Sequence, residues 1–453
     1  MVARQYTRPE GRFLLAKHLY RMSDKLSGKV IRDPLWNTIR LDPIAAQIVD
    51  TVEFQRLRYI RQLGFTHLVY PGATHTRFDH ALGVYHLTTV ALDRIRENPK
   101  TPPEVLQDGH LIPYAALLHD IGHYPFSHAL EELEAEYVPT HHEEVSKQFL
   151  ASPSLRDALV PLGSSAPDLL LELISGKSEI PLRGLVSGAL DLDKMEYLRR
   201  DAHFSGVPYG EVDVSRLLQG LALLRDPESG QYEVGVHEKA VAALESLLFA
   251  KYQMFRNVYW HHAVRAATVL YKRIVEEAVD SGLLVAQELV GPTDEELLYE
   301  INRRAHEADG EAAERIGTRW LPALRQRRLP KRALELNAAD LTGRQVEDWV
   351  ASSSPHKRAI EDDLALDLDL EPGEVVIDFP SKKAMFQLNV LVERRDGQIQ
   401  RLGLGGLPGL LDLPRLADNL YMTARVLRVF TFEQRTVMAD DIIARITRPN
   451  GTV

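Results

Sequence analysis

The sequence predicts a mainly α-helical protein: a helical core followed by a smaller mixed α/β domain at the C-terminal end. Between residues 35 and 290, apolar residues recur with the 3.6-residue period of an amphipathic helix, and glycine and proline seldom interrupt them. After residue 365 the pattern changes to short β-rich segments separated by turn residues. We therefore predict a basic N-terminal segment (1–34), a helical domain (35–290), a helical connecting region (291–365) and an α/β domain (366–453).

The first helices meet at a corner that is rich in histidine. Residues 78–95 have one apolar face and predict a long helix. Residues 114–118 predict a short buried helix, which Gly122 and Pro125 interrupt, and Ser127 is a suitable N-cap for a helix over 128–136. Further helices are predicted over 185–200 and 239–279.

Turn and capping signals divide the second half of the chain. Gly291-Pro292 predicts a break, and Thr293 with Glu296 predicts a capping box at the start of the next helix. Strands are predicted over 375–379, 386–393 and 398–402, the last two joined by a hairpin turn at Arg395-Asp396-Gly397.

Composition excludes several classes of protein. The chain has no cysteine, which removes disulfides, thiolate zinc sites and cysteine nucleophiles and fits a reducing cytoplasm. No apolar run reaches the roughly 18–20 residues that cross a bilayer, and the N-terminus lacks a secretory signal, so we expect a cytoplasmic protein without a membrane partner. The net charge of −10 disfavours nucleic acid as the main partner, although residues 1–32 are basic.

Histidine is the informative residue type. Ten of the 17 histidines lie between His67 and His142. Within this window His119 and Asp120 are adjacent; successive helical residues diverge by about 100°, so an ion between them can bind both. Imidazole and carboxylate ligands favour a first-row divalent metal, namely Mn, Fe, Co, Ni or Zn. An isolated His-Asp pair is more often structural, so the hypothesis needs further ligands, for which His80 and Asp193 are the candidates.

Three ordered blocks of sequence surround these residues. The first reads DTVEFQRLR from residue 50, QLG from residue 62 and YPGATHTRFDH from residue 70; the second reads HDIGHYPFSH from residue 119; the third reads DLDKMEYLRRD from residue 191. From about residue 29 to about residue 262 the sequence resembles the HD-domain deoxynucleoside triphosphate triphosphohydrolases (dNTPases). The resemblance implies hydrolysis of a dNTP substrate to a deoxynucleoside and inorganic triphosphate.

The resemblance also implies roles for individual residues. It assigns the metal ligands to His80, His119, Asp120 and Asp193, with Mg a further ion on the substrate triphosphate. It assigns the catalytic group to His128, Glu131, His123 and the proton donor His142, although the adjacent His141 leaves that last choice open. It implies that the triphosphate is bound by Arg77, His123, Lys194 and Lys251, the 3′-hydroxyl group by Gln62 and Asp201, and the sugar ring by Tyr197 and Tyr259. Three positions depart from the family pattern: Glu131 and Glu196 each replace an aspartate, and Trp260 replaces a glutamine near the base.

A second nucleotide site is also implied. Positions that bind an activating nucleotide between subunits in regulated members are matched by Lys29, Val30, Asp50, Gln55, Arg58 and Arg216. The expectation is activation by dGTP, GTP or dATP in a homo-oligomer, with a tetramer as one form. Ion pairing within a helix explains Asp50 and Arg58 equally simply.

Two other functions stay open at this point. One is an HD phosphohydrolase that acts on a nucleoside monophosphate or a cyclic nucleotide. The other is a nucleotide-sensing or nucleic-acid-binding protein with a vestigial site. The complete set of ligand and histidine residues argues against a vestigial site, and hydrolysis of dNTPs is the leading hypothesis.

Overall fold

The computed structural model describes residues 28–106, 109–139, 142–342, 344, 346–351, 354–380, 389–402, 406–407 and 412–447. The predicted basic segment 1–34 therefore lies mostly outside the described residues. None of the described helices combines the length and the apolar character needed to cross a membrane.

The region up to residue 290 is built mainly from helices. Its α-helices are α1 (Pro43–Val49), α2 (Val52–Gln55), α3 (Arg77–Glu97), α4 (Ile112–Leu118), α5 (Ser127–Leu130), α6 (His142–Leu150), α7 (Pro153–Leu159), α8 (Ala166–Ile174), α9 (Leu192–Ser205), α10 (Val214–Gly220), α11 (Val241–Met254) and α12 (His262–Asp280). Short 3₁₀ helices connect them at Arg56–Tyr59, Gly64–Leu68, Pro103–Leu106, Gly109–Leu111, Val160–Leu162, Pro181–Leu185, Pro208–Gly210, Glu238–Ala240 and Ala286–Leu289.

Helices continue beyond residue 290, now mixed with strands. They are α13 (Asp294–Glu307), α14 (Glu311–Glu314), α15 (Leu321–Arg325), α16 (Pro355–Asp367), α17 (Leu413–Ala424) and α18 (Ala439–Ile446), with 3₁₀ helices at Ala338–Leu341 and Asp348–Ala351. Two π-helical segments, Phe255–Tyr259 and Arg315–Trp320, adjoin the α-helices.

The strands form three small sheets. They are β1 (Lys29–Asp33), β2 (Asn37–Leu41), β3 (Leu221–Arg225), β4 (Tyr232–His237), β5 (Lys331–Asn337), β6 (Val375–Asp378), β7 (Val390–Glu393), β8 (Ile399–Leu402) and β9 (Val426–Thr431). β1 and β2 form an antiparallel hairpin, and the other sheets have the orders β3-β4-β7-β8 and β5-β9-β6. β4 pairs in parallel with β7, with Val236 opposite Val392, so hydrogen bonds join the helical region to a late strand. The predicted domain boundaries stay a prediction.

Local sequence explains where the helices that carry the site begin and end. Thr76 and Asp79 form a capping box at the start of α3. Asp191 caps α9 by accepting a hydrogen bond from the backbone of Lys194, and Gly206 ends that helix in the left-handed conformation, at φ 68°. The main apolar core lies between α3, α4, α9 and α11 and includes Val390 and Val392 of β7.

The mainly helical fold class is confirmed, as are the predicted capping box at Thr293 and the hairpin turn between β7 and β8. Three predicted helices were wrong in extent. The helix expected over 128–136 ends at Leu130, where the side chain of Glu132 pairs with Arg265 of α12. The helix expected over 185–200 begins only at Leu192 because Asp191 caps it. The helix expected over 239–279 is interrupted by the π segment and then restarts at His262.

Candidate active site

Three helix ends bring the predicted metal ligands together. His80 lies in the first turn of α3, His119 directly follows α4, and Asp193 lies in the first turn of α9. Asp193 Oδ1 is 2.9 Å from His80 Nε2 and 3.6 Å from His119 Nε2. One ligand atom from each residue lies within 4.8 Å of the others, which is a spacing that a single ion can bridge.

Both imidazole rings are held so that Nε2 faces the centre of this group. His80 Nδ1 is 2.7 Å from Glu196 Oε2, and His119 Nδ1 is 2.8 Å from the carbonyl oxygen of Ala116. A carboxylate and a carbonyl only accept hydrogen bonds, so Nδ1 carries the hydrogen in each ring and Nε2 is left for a ligand. Both Nε2 atoms are buried, and no described residue meets either of them in hydrogen-bond geometry. This donor set fits a divalent metal.

Asp120 lies beside this group and is already paired. Its Oδ2 is 2.7 Å from the Arg77 guanidinium, and its Oδ1 is 3.0 Å from His123 Nε2. The same carboxylate is 3.3 Å from His119 Nε2 and 3.9 Å from His80 Nε2. Arg77 and His123 are therefore buried within the site. The role of Asp120 as a fourth ligand, and of Arg77 and His123 in binding triphosphate, stays a prediction.

The electrostatics of the group favour a positive charge at its centre. Burial opposes ionisation of Asp120, but the positive charges of Arg77, His119 and His123 together hold the pKa of Asp120 well below its usual value. Burial likewise opposes ionisation of Asp193, but the adjacent His119 and His80 side chains hold its pKa well below the usual value. Burial lowers the pKa of His80, yet Asp193 and Glu196 outweigh it and raise that pKa to about 10. A divalent cation that replaces the histidine protons would balance the charge of the same carboxylates.

Glu196 supports His80 through a contact that sequence reasoning missed. Its carboxylate is fully buried and bonds three side chains: Oε2 accepts from His80, and Oε1 accepts from Arg200 at 2.7 Å and from Trp36 at 2.9 Å. Such partners orient metal-binding histidines. The sequence did hold a signal, because Asp193 and Glu196 are three residues apart and so share one face of α9.

A second cluster contains the residues predicted to contact the sugar. Tyr259 Oη donates to Asp201 Oδ2 at 2.6 Å, and Asp201 Oδ1 is 2.8 Å from His75 Nε2. Gln62 is buried, and its Oε1 has no hydrogen-bond partner within the described parts of the chain. Burial and the nearby carboxylates raise the pKa of both Tyr197 and Tyr259 well above the usual value, so both phenols are neutral and can donate.

The other residues predicted to act in catalysis or to bind phosphate lie in different surroundings. His128 is 3.2 Å from Glu131 through Nδ1, and its ring centroid is 5.5 Å from that of His123. Lys194 donates to the carbonyl oxygen of Gly188 at 2.8 Å and pairs with Asp191, while Lys251 is buried in α11. His142 begins α6, but its side chain and all of His141 lie outside the described residues, so the choice of proton donor stays a prediction.

The predicted regulatory residues contact one another in two pairs. Lys29 forms an ion pair with Asp50, and Arg58 donates to Gln55 Oε1 at 2.8 Å. Val30 is exposed, and Arg216 of α10 lies beside Lys239, to whose carbonyl oxygen it donates at 3.2 Å. These are contacts within one chain, so a nucleotide site there stays a prediction.

Two family descriptions match the sequence. Residues 77–199 match the HD domain, and residues 212–404 match the HD associated region. The chain carries an HD domain. The matched range begins at Arg77 and includes His80, His119, Asp120 and Asp193, which we call the HD site.

Known proteins resemble this HD-domain chain to different extents. An uncharacterized protein of Methanocaldococcus jannaschii is 35% identical over 266 residues, which are 59% of this chain and 53% of the relative. The deoxynucleoside triphosphate triphosphohydrolase SAMHD1 homolog of Dictyostelium discoideum is 28% identical over 282 residues, or 60% of this chain and 53% of the relative. The chain thus spans about half the length of these curated relatives. The crystal structure of a hypothetical protein from Aquifex aeolicus is 26% identical, with a TM-score of 0.64 over 89% of this chain and 96% of that chain.

Proposed function

We propose that this protein hydrolyses dNTPs at the HD site, releasing the deoxynucleoside and inorganic triphosphate. One observation carries the proposal: a predicted metal ligand and two residues predicted to contact the sugar lie on one face of α9. Asp193, Tyr197 and Asp201 are spaced by four residues, which places them in line over roughly 12 Å of helix, the scale of a nucleoside phosphate. At one end Asp193 meets His80 and His119, and at the other Asp201 accepts from Tyr259.

The similarity to the Dictyostelium protein supports the choice of substrate. That relative is named a dNTP triphosphohydrolase, and its similarity to this chain covers 282 residues. All four residues of the HD site and His128 are present here in the order in which the family pattern has them, and Glu131 keeps a carboxylate where the pattern has an aspartate.

A metal would be held by His80, His119 and Asp193, with Asp120 as the proposed fourth ligand. When bound, such a metal lowers the pKa of a bound water and polarises a phosphoryl oxygen. Arg77, Lys194 and Lys251 would offset the negative charge of the triphosphate. Of these, Arg77 is 2.7 Å from Asp120 and thus stands next to the proposed metal position.

His142 is the proposed source of the proton for the 5′-oxygen leaving group, with the adjacent His141 as the alternative. His128 is proposed to lie by the α-phosphate. Glu131 lies 3.2 Å from His128 Nδ1, so that nitrogen carries a hydrogen and Nε2 is left for the phosphate. Tyr197 and Tyr259 would pack against the sugar and exclude a 2′-hydroxyl group, and Gln62 with Asp201 would bind the 3′-hydroxyl group.

Activation by a second nucleotide and assembly into a homo-oligomer are a separate part of the proposal. The activating nucleotide (dGTP, GTP or dATP) would bind between subunits and contact Lys29, Val30, Asp50, Gln55, Arg58 and Arg216. Sedimentation velocity with and without each nucleotide tests this part, with nucleotide-dependent assembly as the expected result. Assembly and turnover that respond to no added nucleotide would contradict it.

Product analysis tests the activity. The purified protein is incubated with each dNTP and Mn²⁺ or Mg²⁺, with and without dGTP, GTP or dATP, and the products are separated by anion exchange. Tripolyphosphate supports the proposal, whereas a monophosphate or pyrophosphate product indicates another phosphohydrolase. Nucleotide binding without turnover under any metal indicates a vestigial site. Asp193→Asn should abolish turnover, and Arg303→Gln, on the exposed side of α13, should leave it unchanged.

A further inference from the structure

We propose that His75 is a positioning residue that holds Gln62 and Asp201 in place and thereby determines how strongly the protein selects for a 3′-hydroxyl group. This inference rests on the proposed function, because it concerns how the substrate sugar is recognised. His75 is not among the residues for which the family resemblance implies a role.

His75 lies where the segment before α3 packs against the end of α9. The residue is only 3% exposed, and its ring stacks on that of Phe204, with centroids 4.7 Å apart and planes at 25°. Gly72 permits this approach, because a Cβ atom there would stand 2.5 Å from the carbonyl oxygen of Phe204. Phe204 thus covers one face of the His75 ring, and Gly72 lets the backbone before α3 lie close to the end of α9.

The side chain of His75 reaches Asp201 across 126 positions of sequence. Nε2 lies 2.8 Å from Asp201 Oδ1, and because a carboxylate only accepts, Nε2 donates. The other oxygen, Oδ2, accepts from Tyr259. A carboxylate has about four lone-pair directions, so two remain for a hydroxyl group of the substrate. With both oxygens held, the carboxylate has one orientation in which to receive that group.

The backbone of His75 reaches Gln62. The backbone N–H of Gln62 donates to the carbonyl oxygen of His75 at 3.1 Å, and the backbone N–H of Arg77 donates to the carbonyl oxygen of Ile60 at 3.0 Å. The buried Oε1 atom of Gln62 accepts no hydrogen bond from any residue that the structure describes. A buried amide oxygen without a partner is costly, and a ligand hydroxyl group would satisfy it. One residue therefore positions Gln62 through its backbone and Asp201 through its ring.

The test compares dNTPs with 2′,3′-dideoxynucleotides, which lack the 3′-hydroxyl group. The measured quantity is the ratio of kcat/KM for a dNTP to that for its dideoxy analogue. His75→Phe keeps a ring on Phe204 but removes the donor to Asp201, and should lower this ratio by about tenfold, the size expected for a hydrogen bond to a charged group. His75→Gln places an amide nitrogen near the position of Nε2 and should keep the ratio within about threefold of wild type. Phe204→Leu is the matched control, because it removes the stacking and leaves the hydrogen bond.

The outcomes separate this inference from the proposed function. If wild type hydrolyses no dNTP, the proposed function fails and the inference falls with it. If wild type is active but His75→Phe slows both nucleotides by the same factor, His75 is merely structural and the inference is overturned. A wild-type ratio near one overturns it as well, since the hydroxyl group is then not recognised. If His75→Phe does not fold, His75→Asn takes its place, because its shorter amide cannot reach Asp201.

Discussion

Replacing Gly83 with alanine should damage the HD site through Glu196. Gly83 lies in α3, one turn after His80, and a Cβ atom there would stand 2.0 Å from Glu196 Oε1 and 2.5 Å from its Cδ. Ordinary contact begins near 3.4 Å, so the carboxylate has to move by about 1.4 Å. That movement breaks the geometry in which Glu196 orients His80.

The expected magnitude follows from the bonds at stake. Glu196 accepts hydrogen bonds from Arg200, Trp36 and His80, and each bond to a charged group contributes about 1.5–3 kcal/mol. Alanine is favoured over glycine within a helix by about 1 kcal/mol, which offsets part of the loss. If two of the three bonds are lost, the free energy of unfolding falls by about 2–5 kcal/mol. Loss of the orienting partner of a metal-binding histidine weakens metal affinity by about 10–100-fold.

Urea unfolding and calorimetric titration with Mn²⁺ measure the two effects. Thr89→Ala is the control, because Thr89 lies on the same helix and its hydroxyl bonds the carbonyl oxygen of Tyr85 at 3.0 Å, away from Glu196. The control should bind Mn²⁺ like wild type and change the free energy of unfolding by less than about 1 kcal/mol. The reasoning about Glu196 is refuted if Gly83→Ala binds Mn²⁺ as tightly as wild type and its free energy of unfolding is higher by the about 1 kcal/mol that alanine contributes within a helix.

Three further predictions address the metal, a buried ion pair and pH. His119→Ala should lose bound metal and activity while keeping its fold, and a chelator should lower the Tm of wild type but not of the variant; metal analysis and thermal melting check this. Arg265 bonds Asp378 at 2.5 and 2.9 Å in a buried position, so Arg265→Met should lower the free energy of unfolding by about 3–5 kcal/mol, against less than about 1 kcal/mol for the exposed Arg303→Gln, as measured in urea. Equal costs would contradict that assignment. Burial raises the pKa of Asp294 to about 6, so the folded state binds more protons than the unfolded state between pH 4 and 6, and stability is lost as pH rises through that range. Relative to Asp294→Asn, wild type should lose about 2–3 kcal/mol between pH 4 and 7, and a flat difference would rule out the shift.

Local sequence determined much of the fold and the main members of the candidate site. Helical periodicity predicted α3 and the mainly helical class, and short-range signals predicted the capping box at Thr293 and the hairpin turn between β7 and β8. His80, His119 and Asp193 could be named because imidazole and carboxylate groups bind such metals and because these residues stand in ordered blocks that resemble a known family. The structure brings the three together. Each of these features depends on residue type or on neighbours within a few positions.

Tertiary structure alone decided which residues support that site. His80 meets Glu196 across 116 positions, and His75 meets Asp201 across 126. The α5 segment ends at Leu130, and Glu132 just beyond it pairs with Arg265 of α12. The long helix after residue 239 is interrupted at the π segment that carries Tyr259. Periodicity encodes the face that a helix buries, but the partner across that face depends on how distant helices pack. The metal-type ligands were therefore readable in the sequence, whereas the buried bonds that orient them became visible only in the fold.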